Sequence, residues 1–188
     1  MTQTATHSDP VPLPRVPGGG HTRRVVLFLM IFLSLNFLYY LGRGGPVERL
    51  VLDVMTVIPA VTLINTLTPA EQVAAEGHRL VAPQATLSVL GGCEGIESIF
   101  LVIAALGAFR LGWKDTVLGM IVGTLFIYAL NLLRIAGLYY VFRYQRDAFD
   151  IAHAYIGSTV IIVMGCLFFL FWVNRSLSLH ELRYRAAP

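Results

Sequence analysis

Long apolar runs separated by short polar clusters recur along the whole chain. Val25 to Leu41 is apolar except at Ser34 and Asn36, and Arg23-Arg24 stand before it. A run of this length predicts a membrane helix with Tyr39-Tyr40 as an interfacial anchor. Ile96 to Leu111, Thr116 to about Tyr140 and Ala154 to Val173 predict three further spans. Residues 47–67 are long enough to cross a bilayer but carry Glu48, Arg49, Asp53, Pro59 and Asn65. That mixture favours an amphipathic or re-entrant helix at the outer interface, with a full crossing as the alternative. Residues 68–92 are polar and irregular, except that Thr86-Leu87-Ser88-Val89 alternates polar and apolar, which suits a short strand. Pro10, Pro12, Pro14, Pro17 and Gly18-Gly19-Gly20 predict a disordered tail over residues 1–22.

Composition turns this pattern into a fold class. The chain is 56% hydrophobic, with a mean hydropathy of +0.68, far above a soluble domain. The expectation is an all-α polytopic membrane protein. It has about four transmembrane helices, the extra amphipathic or re-entrant helix, and a short extracytoplasmic strand segment. One membrane-embedded domain fills residues 23–178, between cytoplasmic tails at 1–22 and 179–188. Eight Lys and Arg residues fall on the N-terminal side of the membrane and six on the other, consistent with both ends in the cytoplasm. A net charge of +3 gives no reason to expect nucleic acid as a partner. The partner it does require is a lipid bilayer.

Polar residues inside apolar runs are costly and mark candidate chemistry. Gly91-Gly92-Cys93-Glu94-Gly95-Ile96-Glu97 sets a thiol at the expected start of a helix, where the helix N-terminus favours a thiolate; a buried small hydrophobe near a helix start is the other reading. Glu94 and Glu97 act against that preference by raising the thiol pKa. Asn131 and Arg134 are three residues apart, so they share a helix face near the end of the next span. A functional arginine with a partner and a snorkelling arginine with Asn131 as packing glue both fit that pattern. Asp150 stands three residues before His153 and is placed to hold one ring nitrogen while the other serves as a base; an interfacial, helix-capping histidine is the other reading. Four spans bring Cys93, Arg134 and His153 to the same outer face; a crossing by residues 47–67 as well, with the N-terminus inside, would keep the three together but turn them to the cytoplasm. Cys166, about 20 Å further along the last helix than His153, is expected deep in the bilayer. His7, His21, His78 and His180 fall in tails and loops. No spacing typical of a metal site, hydrolase elbow or phosphate-binding glycine loop is present, so no cofactor is expected.

Gly-Cys-x-Gly-Ile at a helix start, Asn-x-x-Arg near the end of the following helix, and a His just before the last span resemble the exosortase/archaeosortase family of membrane transpeptidases. The resemblance covers most of residues 25–175 and is tightest over 91–160. It is closest to the small exosortases of Gram-negative bacteria, the H-type subgroup among them. It implies an active site of Cys93, Arg134 and His153 on the extracytoplasmic face of a bacterial inner membrane. It also implies secreted substrates with a C-terminal sorting signal: a short Pro-containing motif, a membrane helix and a basic cluster. Glu94 departs from the family, where many relatives carry a smaller or neutral residue, and the chain lacks the additional spans of the longer members. Cys93 would form a thioester with the substrate. His153 would take and return the proton. Arg134 would stabilise either the oxyanion or the thiolate. The acceptor is an amine, a lipid head group or water. The competing class is a non-catalytic membrane scaffold or assembly subunit. A small transporter with Arg134 binding an anion finds no broken-helix pair or inverted repeat to support it.

Overall fold

In a computed structural model the chain is described over residues 19–109 and 111–185, with side chains over 20–109 and 111–178. The expected tail at 1–22 lies mostly outside the described residues, and Gly19 to Thr22 form the first turn of a helix instead. Helix α1 (Gly19–Leu41) is the first candidate span. A Gly-rich turn leads into α2 (Pro46–Leu67), which is continuous and 22 residues long, with wider π-type turns over Leu50–Val57. Three short strands follow, β1 (Ala74–Glu76), β2 (Arg79–Ala82) and β3 (Ala85–Ser88). Then come α3 (Ile96–Ala108), α4 (Trp113–Tyr144) and α5 (Arg146–Ser178), whose helical backbone runs on to Arg185. The protein is a polytopic, mostly helical membrane protein carrying one small three-stranded sheet.

Four helices are long and apolar enough to cross a membrane: α1, α2, α4 and α5. By length and composition alone, this set exchanges two of the expected elements. The segment over 47–67 has the length and composition of a span, whereas the span expected over Ile96–Leu111 is the 13-residue α3. Both the last two spans also begin earlier than hydropathy alone suggested, at Trp113 and Arg146. The charged residues Lys114, Asp115, Arg146 and Asp147 sit in their first turns, where a helix continues although the hydropathy has fallen.

Two apolar cores lie along α4. One joins Val102 and Leu106 of α3 to Ile127 of α4 and Ile161, Phe168 and Trp172 of α5. Its close packing depends on Gly119 and Gly123, one turn apart on α4. A Cβ on Gly119 would run into the Trp172 indole, and one on Gly123 would lie 2.7 Å from Phe168. The small-xxx-small spacing thus forms a notch for two aromatic side chains. Trp172 Nε1 then donates to the Asp115 carbonyl at 2.9 Å. Large apolar side chains on the other faces of α1, α4 and α5, such as Leu38, Leu125 and Phe171, are exposed, as lipid-facing residues must be.

The second core lies beyond the first, toward the C-terminal end of α4. It packs Val57, Ala60 and Ile64 of α2 with Leu80 and Leu87 of the sheet and Ile135 and Tyr139 of α4. At 32 residues α4 is roughly 48 Å long, well beyond a hydrocarbon core of about 30 Å. Its C-terminal third is the post on which α2 and the sheet are built. The Tyr128 hydroxyl donates to the Met55 carbonyl at 2.7 Å, and Thr68 and Tyr140 hydroxyls pair at 2.8 Å. Glu71 accepts from Tyr139 at 2.7 Å and Tyr144 at 2.6 Å, with Arg143 Nε at 3.6 Å.

The segment read as irregular over 68–92 is therefore an antiparallel sheet in the order β1-β2-β3. Leu80 pairs with Leu87 and Val81 with Thr86. The expected strand at Thr86–Val89 corresponds to β3, and its partners went unread because β1 and β2 are only three and four residues long.

Candidate active site

The loop from Val89 to Gly95 leaves the sheet and enters α3, and its shape is fixed by four local contacts. The Val89 amide donates to the His78 carbonyl at 2.8 Å, and the Cys93 amide to the Leu90 carbonyl at 3.0 Å. Glu94 is buried, 5% exposed. Its carboxylate accepts from the Tyr39 hydroxyl of α1 at 3.1 Å and from the Gly92 amide. Gly95 then turns the chain into α3 with φ +75, a left-handed angle that disfavours a side chain.

This places Cys93 before α3 rather than in its first turn. Asn131 of α4, 2% exposed, donates from Nδ2 to the Cys93 carbonyl at 3.1 Å. The fit is tight: a Cβ on Gly95 would lie 2.7 Å from Asn131 Cγ. Asn131 therefore positions the backbone that carries the thiol.

His153 comes from α5. It lies inside that helix, on wider π-type turns over Ala152–Gly157, and not ahead of it. Such turns cost regular hydrogen bonding and recur at functional sites. Cys93 Sγ is 3.6 Å from His153 Nε2 and 4.0 Å from Nδ1. The imidazole stacks on Phe149, with centroids 5.5 Å apart and planes 3° apart. Asp150 is exposed and makes no side-chain hydrogen bond among the described residues, so the carboxylate partner expected for His153 is replaced by an aromatic face.

Arg134 reaches the same place from α4. Its Nη2 donates to the His153 carbonyl at 3.4 Å and to Ser158 Oγ at 3.3 Å. Its Nε is buried without a hydrogen-bond partner among the described residues. Gly157 makes room for it, since a Cβ there would lie 2.7 Å from Nε. Arg134 is thus the connection between α4 and the turn that bears His153. Glu97 does not join the group. It is exposed and faces a separate groove with Asn36, Tyr39 and Arg43.

The thiol's environment works against the thiolate that a helix start would favour. Burial pushes the Cys93 pKa above its ordinary value; the Arg134 charge acts against that shift and Glu94 adds to it. The resting side chain is a thiol, with a base in reach to take its proton. Beside it runs a narrow cleft of about 30 Å³ lined by Leu87, Ser88, Val89, Cys93, Phe149 and His153, among others. Cys166 is exposed on α5, in an apolar groove beside Phe28 and Leu101. Among the described residues no group of three or more His, Cys, Asp or Glu is placed to hold a metal ion.

Comparison with protein families matches residues 22–172 to the transmembrane exosortases of EpsH type. The chain belongs to the transmembrane exosortase family. That match spans α1 through Trp172 of α5, and so contains every residue of the Cys93 cleft. No curated protein and no solved structure matches this exosortase. Sequence reasoning missed Tyr39, Phe149 and Ser158 as parts of the site. Tyr39 had the signal of an ordinary interfacial anchor, and Ser158 that of a small polar residue in a span. Only the Phe149-to-His153 spacing, one helical turn, hinted that the two rings share a face.

Proposed function

We propose that this exosortase is a cysteine transpeptidase or peptidase that cleaves a C-terminal sorting signal of secreted proteins. The observation that carries the reading is Cys93 Sγ at 3.6 Å from His153 Nε2, with Arg134 held against the same histidine turn. In a family of membrane exosortases, a thiol and a base in one cleft, with a fixed cation held against the turn that carries the base, support acyl transfer.

His153 Nε2 takes the thiol proton as Cys93 Sγ attacks the scissile carbonyl carbon. The raised thiol pKa makes this transfer part of the attack. The tetrahedral intermediate collapses, the C–N bond breaks, and the leaving amine takes the proton from His153. The thioester is then opened by an amine, a lipid head group or water, with His153 accepting that nucleophile's proton and the thiol restored. Negative charge sits first near Sγ and then on the oxyanion. Arg134 stabilises one or both, and its opposition to the raised thiol pKa supports a contribution to the first. The substrate's Pro-containing motif would lie at the cleft, its membrane helix beside the spans and its basic cluster at the opposite face. We place the site on the extracytoplasmic side of a bacterial inner membrane.

The test is processing of a co-expressed secreted protein with such a tail, one that the wild-type chain cuts. Cys93→Ala and Cys93→Ser are expected to accumulate the uncut form, and Cys166→Ala to process normally. Normal processing by both Cys93 variants would make Cys93 structural and refute the thioester mechanism.

A further inference from the structure

The sheet has two unpaired edges, and they are not alike. β1 ends the sheet with a three-residue strand carrying Glu76. β3 ends it on the other side, and from Gln84 to Gly92 the chain has neither a charge nor a proline. Natural edges are normally protected by charges, prolines or covering elements, because an open row of N–H and C=O groups invites another strand.

The register shows which groups are open. Val89 donates to the His78 carbonyl, so that pair is hydrogen-bonded. In an antiparallel ladder hydrogen-bonded and non-hydrogen-bonded pairs alternate. Leu80–Leu87 and Ala82–Ala85 therefore exchange hydrogen bonds, while Arg79–Ser88 and Val81–Thr86 do not. Thr86 and Ser88 turn their amides and carbonyls to the free edge. Their side chains are exposed, and so is Leu90, at 65%. Leu87 and Val89, on the other face, are buried in the core against α4.

This edge leads directly to the chemistry. Leu87, Ser88 and Val89 line the same cleft as Cys93 and His153. We infer that β3 is the substrate-binding strand: the extended peptide flanking the scissile bond adds to the sheet beside it, hydrogen-bonding the main chain of Thr86 and Ser88. Recognition by strand addition takes its affinity from backbone groups and its selectivity from alternate side chains. It delivers an extended backbone, with the scissile carbonyl presented to Cys93 Sγ. The inference rests on the proposed cleavage and specifies how the peptide is held.

Proline separates the edge from the ladder, because it removes one amide donor and is tolerated where that donor points outward. Ser88→Pro and Thr86→Pro remove outward donors. Ala75→Pro makes the same change on the far edge, since Ala75 faces Leu80, whose hydrogen bonds go to β3. The reporter is a secreted protein with a Pro-containing, membrane-anchored tail that the wild-type chain processes, and Cys93→Ala is run beside it. Ser88→Pro and Thr86→Pro are expected to slow processing at least tenfold, with wild-type protein level and Cys93 alkylation; Ala75→Pro is expected to process normally. In a Cys93→Ala, Cys166→Ala background, Thr86→Cys should form disulfides with single cysteines placed at every second reporter position near the cut. Cleavage that needs Cys93 but proceeds at the wild-type rate in both edge variants would overturn the inference and leave the proposed function standing. So would disulfides at consecutive reporter positions without alternation. Cleavage unaffected by Cys93→Ala would overturn both.

Discussion

Gly95→Ala is the substitution whose cost can be worked most directly from the geometry. Two penalties fall on one methyl group. The first is backbone: φ is +75, and a left-handed angle costs a residue with a Cβ about 1–2 kcal/mol. The second is steric: the new Cβ would lie 2.7 Å from Asn131 Cγ and 3.0 Å from both Cβ and Oδ1. Asn131 is 2% exposed and held to the Cys93 carbonyl, so it has nowhere to move without releasing that contact. Overpacking of this kind costs roughly 1–3 kcal/mol. The sum predicts a destabilisation of about 2–5 kcal/mol by denaturant titration in micelles. A double-mutant cycle separates the parts. Asn131→Ala alone should cost about 1–3 kcal/mol through the lost hydrogen bond. Combined with Gly95→Ala, the total should fall short of the sum by the part of the clash that Cγ and Oδ1 make, while the Cβ contact at 3.0 Å stays. Strict additivity would refute the argument that Gly95 is required by contact with Asn131, and a single-variant cost under about 0.5 kcal/mol would refute the strain argument as well.

Alkylation of Cys93 should be slow at neutral pH and rise as pH passes above the ordinary thiol range, followed with a membrane-impermeant maleimide on Cys166→Ala protein. Glu94→Gln removes a repulsion and should move that rise to lower pH, whereas Arg134→Gln should move it higher; shifts in the same direction would contradict the electrostatics. Glu71 has a lowered pKa because the Tyr144 and Tyr139 hydroxyls, and then Arg143, favour its carboxylate. A depressed folded-state pKa contributes stability above the unfolded value of about 4.3 that is lost as pH falls through the folded value. Glu71→Gln should therefore flatten the acid limb of a thermal-stability profile, and an unchanged acid limb would mean that the Tyr139–Glu71–Tyr144 contact is not maintained in solution.

Much of the site was legible from the sequence because polar residues in apolar runs are expensive. Cys93, Asn131, Arg134 and His153 each interrupt or flank such a run, and the structure brings all four together. The supporting acids were less legible. Glu94 and Glu97 are three residues apart and look equivalent in the sequence, yet one is buried under Tyr39 and the other faces an open groove. Asp150 and Phe149 are adjacent, and it is Phe149 that meets His153. About 100° of rotation between neighbouring helical residues decides the second case, and facing depends on which neighbour arrives.

Hydropathy by itself determined that this chain is a helical membrane protein, since no soluble core could bury so much apolar surface. It also placed the thiol between a strand and a helix, because glycines end one periodicity and begin another. It could not give the lengths of α2 and α3: the expected interfacial helix is 22 residues long and the expected span only 13. Nor could it find β1 and β2, which are too short for a periodic signal and exist because β3 and the Tyr139–Glu71 contact hold them in place. The pairing of Cys93 with His153, the seat of Arg134 at Gly157, and the open edge of β3 are products of tertiary structure alone. Each joins residues from different elements, and the energy that fixes them comes from packing across α4, which no local window of sequence contains.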